Sequence, residues 1–349
     1  MKSLKDISWQ CTEEEYRSDK AYSYSTLSKF EREGFNNLDK LFDKVESPSL
    51  TFGSVVDCLM TDSQEEFDRR FLVADFPELP DSQRKMVEYL HRMFSKSYPA
   101  LSDFDNRTIM DISEVLQFQL NWKPETRARV IKENGGEYYD LLTLAEGKTV
   151  ISQSLYSDAL ACAEALRTSE ATKFFFEKDN PFDKDLERLY QLKFRGEYDG
   201  IPLRIMADLI AVNHKDKIIY PCDLKTSSKK EWDFPKSFIE WRYDIQGTLY
   251  AEILRQNIEK DEYFKDFKIS PYRFIVVNRY SLTPLVWAFD QTFSQVGCTL
   301  GEHKLRGWRE IVKDLDYYLK NQPAVPIGIN ISRENSIEQY FNDREKKGS

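Results

Sequence analysis

From about residue 188 to residue 226, apolar and polar positions alternate with the two-residue period of β-strands, in three consecutive runs. RLYQLKFRGEY (188–198) is followed by Asp199-Gly200, a pair suited to a tight hairpin turn. LRIMADLIAV (203–212) and KIIYPCDLKT (217–226) come next, joined by the polar stretch Asn213-His214-Lys215-Asp216. The pattern predicts three antiparallel strands in succession. It then changes to a helical period over 235–257, with Trp241, Ile245, Leu249 and Ile253 on the apolar face. PYRFIVVNRY (271–280) and PLVWAFD (284–290) return to strand character. A last helix is expected over 293–319, stopping before Gln322-Pro323.

The first half of the chain reads differently. Residues 1–21 are polar and charged and are expected to form a flexible lead-in. A helix is expected to start at the segment 24–30, with Ser23 or Ser25 as N-cap candidates. LTFGSVVDCLM (50–60) reads as a short helix on which Gly53 and Asp57 lie one turn apart and share a face. Residues 62–180 are mostly helical in pattern, with breaks at Pro77, Pro80, Pro99, Pro124 and Gly135-Gly136. Within them WKPETRARVIK (122–132) is the most basic local run. Lys123, Arg127 and Arg129 are candidate DNA contacts there, a solvated charged face being the plainer account.

Composition adds boundaries. With 349 residues, 41% hydrophobic and 14% aromatic, the chain can fill a large core. No run approaches the length of a membrane span, and MKSLKDISWQ has no signal-type apolar core. The five cysteines are scattered without a CxxC pair, which gives no sign of a disulfide framework or a zinc or iron–sulfur site and suits a reducing cytoplasm. The net charge of −9 counts against a uniformly basic nucleic-acid binder. It leaves room for a local positive groove and for acidic metal ligands.

The chemistry concentrates in the second and third strands. Hairpin pairing centred near residue 215 sets Asp208 opposite Cys222 or Asp223, and alternation turns Asp223 and Lys225 to one face. Charges inside a run as apolar as IIYPCDLK are costly unless paired or metal-bound. A structural ion pair at a sheet end is one reading. The other is a hard-cation site: Asp208, Asp223 and the Leu224 carbonyl as oxygen ligands, for one or two Mg²⁺ ions with Mn²⁺ able to substitute, and Lys225 to orient a water or offset a developing oxyanion. On the following helix Arg242, Gln246 and Tyr250 fall at i, i+4 and i+8, where they could meet phosphate oxygens or that water.

In their order along the chain these motifs resemble the PD-(D/E)XK nuclease superfamily, and within it the RecE-type exonuclease VIII and RecB-like phage exonucleases. The carriers are the YSYSTLSKF segment (22–30), GSVVD (53–57), the Gly147–Ser152 segment GKTVIS, Asp208, the Asp223-Leu224-Lys225 triplet, and YDIQGTLY (243–250) with its Gln246 and Tyr250. The resemblance covers roughly 22–60 and 147–290. It implies an α/β, restriction-endonuclease-like core, a mixed central sheet flanked by helices, with a helical insert over about 61–146. The nuclease domain would span 22–326, and 327–349 would be a polar tail. Many relatives have a metal-binding His where this chain has Asp57, so Asp57 becomes a candidate metal ligand and the number of metals stays open.

The same resemblance implies a Mg²⁺-dependent DNA exonuclease that degrades double-stranded ends 5′→3′, catalysed by Asp208, Asp223, Lys225, Gln246 and Tyr250. Its setting would be phage-type recombination in the cytoplasm of a bacterial cell, with a single-strand annealing protein as partner and a ring-forming homo-oligomer as the assembly. Two other readings stand beside it: a structure- or site-specific endonuclease of the same fold, and a degenerate fold that binds DNA or inhibits without cutting.

Overall fold

The computed structural model describes residues 1–34, 38, 40–43, 47–177 and 185–321; the expected tail over 327–349 lies outside them. The chain divides into two compact units, Met1–Gly53 with Cys162–Ser349, and Ser54–Ala161. Along it run α1 (Glu13–Ser18), α2 (Tyr24–Glu33), α3 (Pro48–Thr61), α4 (Gln64–Arg70), β1 (Phe71–Val73) and α5 (Asp81–Phe94). Next come α6 (Asn106–Val115), α7 (Pro124–Ala145), β2 (Thr149–Ile151), α8 (Gln153–Thr168) and α9 (Lys173–Phe176). The remainder is β3 (Leu186–Tyr198), β4 (Ile201–Asn213), β5 (Ile218–Ser227), α10 (Phe234–Glu240), α11 (Tyr243–Ile258), β6 (Lys268–Ile269), β7 (Tyr272–Asn278), β8 (Leu285–Phe289), β9 (Cys298–Leu300), β10 (His303–Leu305) and α12 (Trp308–Asn321). The fold is mixed α/β, built on a mixed central sheet with helices.

In the first unit the sheet has the order β3-β4-β5-β7-β8, with β6 also on β5. The expected strands are all present. β3–β4 and β4–β5 pair antiparallel, β5–β7 parallel, and β7–β8 antiparallel. Asp199 (φ 51) and Gly200 (φ 74) are both left-handed, the backbone that a two-residue hairpin turn requires. α11 lies on this sheet and buries Ile245, Leu249 and Ile253 in a core with Phe194, Ile205, Phe274 and Tyr272.

Three expectations about this unit need correction. Residues 1–21 are not a loose lead-in: Leu4 is fully buried, and the Trp9 N–H donates to the Lys193 carbonyl at 2.7 Å. The long helix over 235–257 is two helices. Arg242 adopts a left-handed backbone (φ 57) between α10 and α11, so the register slips and Trp241 is 41% exposed rather than in the core. The last helix begins at Trp308, not near 293, because Cys298–Leu300 and His303–Leu305 form a small antiparallel pair around Gly301 (φ 59).

The second unit is largely helical and has its own core of Met86, Val87, Leu90, Phe104, Ile131 and Tyr139. β1 and β2 pair in parallel within it. Gly135-Gly136, read as a break, sits inside the continuous α7. A Cβ at Gly135 would lie 2.6 Å from Val87 Cγ2 and 3.0 Å from Leu101 Cδ2. The glycine is there for close packing of α7, not for a turn.

Candidate active site

The last residues paired between β4 and β5 are Leu209 and Cys222. Asp208 and Asp223 stand one step beyond, facing each other across the strands on one side of the sheet. The two strands stay tied here: the Leu224 N–H donates to Asp208 Oδ2 at 3.1 Å. Asp208 is half-buried and Asp223 is 1% exposed. Such burial costs several kcal/mol for an isolated carboxylate, so partners must offset it.

They do. Lys225 Nζ lies 2.7 Å from Asp223 Oδ2, on the same face two residues along β5. Gln246 Nε2, one turn into α11, donates to Asp223 Oδ1. The Lys225 ammonium also sits 4.8 Å from the ring centre of Tyr243, which in turn stacks on Phe274 at 5.5 Å. Burial works against the ammonium, but Asp223 and then Tyr243 and Asp208 outweigh it and leave its pKa above the ordinary lysine value.

Tyr250 is buried one turn beyond Gln246 and meets Tyr272 edge to face at 6.0 Å. Burial pushes both phenols well above their ordinary pKa. For Tyr272 the next cause is Asp223, and for Tyr250 Asp223 and Asp208 push the same way. Both hydroxyls stay protonated. Gln246 Oε1 and the Tyr272 hydroxyl are buried without a hydrogen-bond partner. Orphaned oxygens beside two carboxylates are what a site built for an additional polar ligand leaves behind.

α11 is held at its start. Arg242 Nε and Nη2 grip Asp244 at 2.9 and 3.0 Å, and Nη1 reaches Glu31 on α2 at 2.7 Å. Arg306 meets the other oxygen of Glu31 at 2.7 Å. The Tyr24 hydroxyl donates to the Trp241 carbonyl at 2.8 Å. Arg242 is therefore no phosphate contact: its guanidinium is buried and spent on fixing the end of α11 that carries Gln246.

The other candidates belong to the second unit. Asp57 is on α3 in the second unit, half-buried, its carbonyl accepting from Thr61 Oγ1 at 2.9 Å. Within that same unit Lys123 is the exposed N-cap of α7. Arg127 is buried, with Nη1 on Ser113 Oγ at 2.9 Å, which removes it from solvent and from any DNA contact. Arg129 is exposed and pairs with Glu133 at 2.9 Å. Gly53, in the first unit, does approach the sheet: a Cβ there would come 3.1 Å from Thr226 Oγ1.

The structure thus brings together Asp208, Asp223, Lys225, Gln246 and Tyr250. Sequence reading missed Tyr243 and Tyr272, which wall the site. Tyr272 shares its strand face with Phe274, the residue paired with Asp223, a pairing that only the fold reveals.

Asp208, Asp223, the Leu224 carbonyl and the orphaned Gln246 oxygen are all hard donors. Among the described residues, no group of three or more His, Cys, Asp or Glu side chains is placed to hold a metal. Two carboxylates suit Mg²⁺, which keeps several waters and takes its remaining ligands from substrate phosphate. The donor set fits such an ion and would not suit a soft metal.

No family model matches the chain, and no curated protein matches it significantly. Among solved structures, one neighbour is the crystal structure of a "Putative exonuclease" from Eubacterium rectale. It has 17% sequence identity and a TM-score of 0.40, over 82% of this chain and 81% of that one. A likeness this distant places no constraint on what this chain does. No helix among the described residues is long and apolar enough to cross a membrane.

Proposed function

We propose that this chain is a metal-dependent deoxyribonuclease that hydrolyses phosphodiester bonds from the ends of double-stranded DNA, in the 5′→3′ direction. The observation that carries the reading is the convergence on Asp223: Asp208 across the strands, Lys225 at 2.7 Å, and Gln246 donating from α11. A purely structural ion pair would need Asp223 and Lys225 alone. It would not need a second carboxylate, which adds repulsion at the same point.

Asp208, Asp223 and the Leu224 carbonyl would hold Mg²⁺, or Mn²⁺ in its place. When bound, the ion supplies Lewis-acid polarisation of the phosphate and a more acidic water. The protein's own groups do the rest. Gln246 holds one oxygen of Asp223 and so fixes the direction of the other. Lys225 brings a compact positive charge to the place where negative charge grows as the water oxygen bonds to phosphorus and the bond to the leaving oxygen breaks. The Tyr250 hydroxyl, kept protonated, would orient the water beside Asp208 and Asp223; that of Tyr272, fully buried, is out of a phosphate's reach. Tyr243 and Phe274 exclude water behind Lys225, which strengthens each of these interactions. A ring of several copies and a single-strand annealing partner in recombination belong to the same reading, and rest on the motif resemblance alone.

The test compares linear and covalently closed double-stranded DNA, each with Mg²⁺ and with EDTA, using Asp223→Ala to control for contaminants. Mg²⁺-dependent loss of the linear DNA alone, abolished in the variant, is expected, and end-labelling then gives polarity. Cutting of the circle would replace this reading with an endonuclease. Cleavage of neither would leave a fold that binds without cutting.

A further inference from the structure

β5 and β7 run parallel and end together, Ser227 paired with Asn278. The loops that leave them therefore emerge from one edge of the sheet, only two residues (roughly 7 Å) beyond Lys225. One loop carries Trp232, 55% exposed, and the other carries Tyr280, 70% exposed. Both rings have a cation against them: Lys230 Nζ is 5.0 Å from the Trp232 ring centre, and the Arg279 guanidinium is 4.7 Å from that of Tyr280. Exposed rings are not unusual on this chain; what sets these two apart is that each has a cation against it and that both leave the same end of the sheet, in a chain of net charge −9.

The loops are also fixed to each other, by a device with no role in the site already described. Glu231 is fully buried between them. Its carboxylate accepts from the N–H of Asn278 at 3.0 Å, the hydroxyl of Ser281 at 2.6 Å and the N–H of Thr283 at 3.2 Å. Its carbonyl accepts from Trp287 Nε1 at 3.2 Å, and Asn278 Nδ2 donates back to the Lys229 carbonyl at 2.8 Å. Within this frame Leu282 is held at φ 51, a left-handed conformation that is costly for a leucine. A carboxylate is thus buried and a backbone strained to present one surface turn. Solvent exposure of Tyr280 gives no return on that cost; a ligand would.

We propose that Trp232 and Tyr280 form a stacking platform for unpaired bases at the end of the DNA substrate, with Lys230 and Arg279 facing the neighbouring phosphates. Flat rings flanked by cations are the recognised chemistry of single-stranded nucleic acid, because every base has a π-face and every linkage a charge. Three acids in the segment that follows β5 are already engaged. Glu231 is buried, Asp233 pairs with Lys236 at 2.8 Å, and Glu240 pairs with Lys229 at 2.7 Å. The inference rests on the nuclease reading for the identity of its ligand, and on the loops alone for its geometry. It adds a substrate preference: DNA whose end is frayed or tailed is held better than a blunt duplex.

The experiment is anisotropy of fluorescein-labelled DNA with the full chain in EDTA, so that nothing is cut. The probes are a blunt duplex and the same duplex with an oligothymidylate tail of about 16 nucleotides. The tailed probe should bind more tightly. Trp232→Ala and Tyr280→Ala should each weaken it at least about fivefold. Trp232→Phe, which keeps a stacking face, should stay within about twofold of the parent. Both positions are exposed, so the variants should fold, and their melting temperatures check this. If the double alanine variant binds the tailed probe like the parent, the platform is overturned even where linear DNA is digested. If no DNA is cut but tail binding still depends on Trp232 and Tyr280, the platform stands and the nuclease reading falls. Self-association that the double variant abolishes, with no effect on DNA, would assign the face to a second copy of this chain.

Discussion

β5 and the first turns of α7 both crowd charged residues into a few positions, and the two regions use them in opposite ways. On β5, Asp223 is 1% exposed among apolar neighbours and draws partners from two places, Lys225 on its own strand and Gln246 on α11, while Asp208 on β4 accepts from the next residue's N–H. On α7, Arg129 is exposed and satisfied by Glu133 one turn along the same helix. Arg127 turns inward to Ser113. The difference is the cost of the alternative. A charge inside a strand cannot retreat into water, so it persists only where distant groups converge on it, and that convergence marks a site. A helical charge at i, i+4 is satisfied locally and worth a few tenths of a kcal/mol, which marks nothing.

The sharpest break in this comparison is at Lys225. If its charge serves the reaction, Lys225→Ala should lower the initial rate on end-labelled linear DNA by about 10²- to 10³-fold. Lys225→Arg should not restore it fully, because a planar fork does not replace a compact ammonium in a half-buried place. A rate within a few-fold of the parent would reduce the Lys225–Asp223 contact to a structural ion pair. Gln246→Ala comes next, with an expected loss of about 10- to 100-fold, the usual effect of removing a group that orients a metal ligand. Its stability should fall by about 1–3 kcal/mol, since Asp223 Oδ1 loses a donor inside the fold. Melting and rate measured on the same sample separate the two effects. A rate within a few-fold of the parent below the melting temperature would make Gln246 part of the core and nothing else.

Much of the first unit was legible because strand alternation is strict. The β3–β4–β5 meander and its turns follow from counting positions; counting set Asp208 opposite Cys222 or Asp223, and the observed pairing of Leu209 with Cys222 decides for Asp223. Helix boundaries were less so. The merging of α10 and α11 into one helix came from an apolar period that runs on through Trp241. The interruption comes from Arg242, whose left-handed backbone is stabilised by Glu31 and Asp244, and Glu31 is 211 positions away. The buried Leu4 is hidden in the same way among polar neighbours. At the site, the carboxylates and Lys225 could be found from charge in an apolar run, but Tyr243 and Tyr272 look like any aromatic until the fold sets them beside Lys225 and Tyr250.

The second unit offers a sharper test at neighbouring glycines. Gly135→Ala places a methyl group 2.6 Å from Val87 Cγ2, a stiff buried side chain, so overpacking of about 1–3 kcal/mol should exceed the gain of about 1 kcal/mol in helix propensity. Gly136→Ala meets nothing within 4 Å and should stabilise by about 0.5–1 kcal/mol. Denaturant unfolding should give opposite signs for adjacent residues. Equal signs would mean that α7 is not packed against Val87 as described.

The smallest expected effect completes the comparison. Lys123→Glu with Arg129→Glu reverses two exposed charges on α7. Losing the Arg129–Glu133 pair and setting two acids one turn apart should cost about 0.5 kcal/mol or less. If these side chains only solvate a helix face, the slope of log affinity against log salt for duplex DNA should stay as it is in the parent. A phosphate contact releases close to one counterion, so two true contacts would lower the slope by about 2. Slope is the better readout than affinity here, because reversing any two surface charges on a chain of net charge −9 shifts the overall attraction to DNA. An unchanged slope confines the DNA contacts to other surfaces, whereas a fall of about 2 would show that locally satisfied helical charges can be recruited by a ligand.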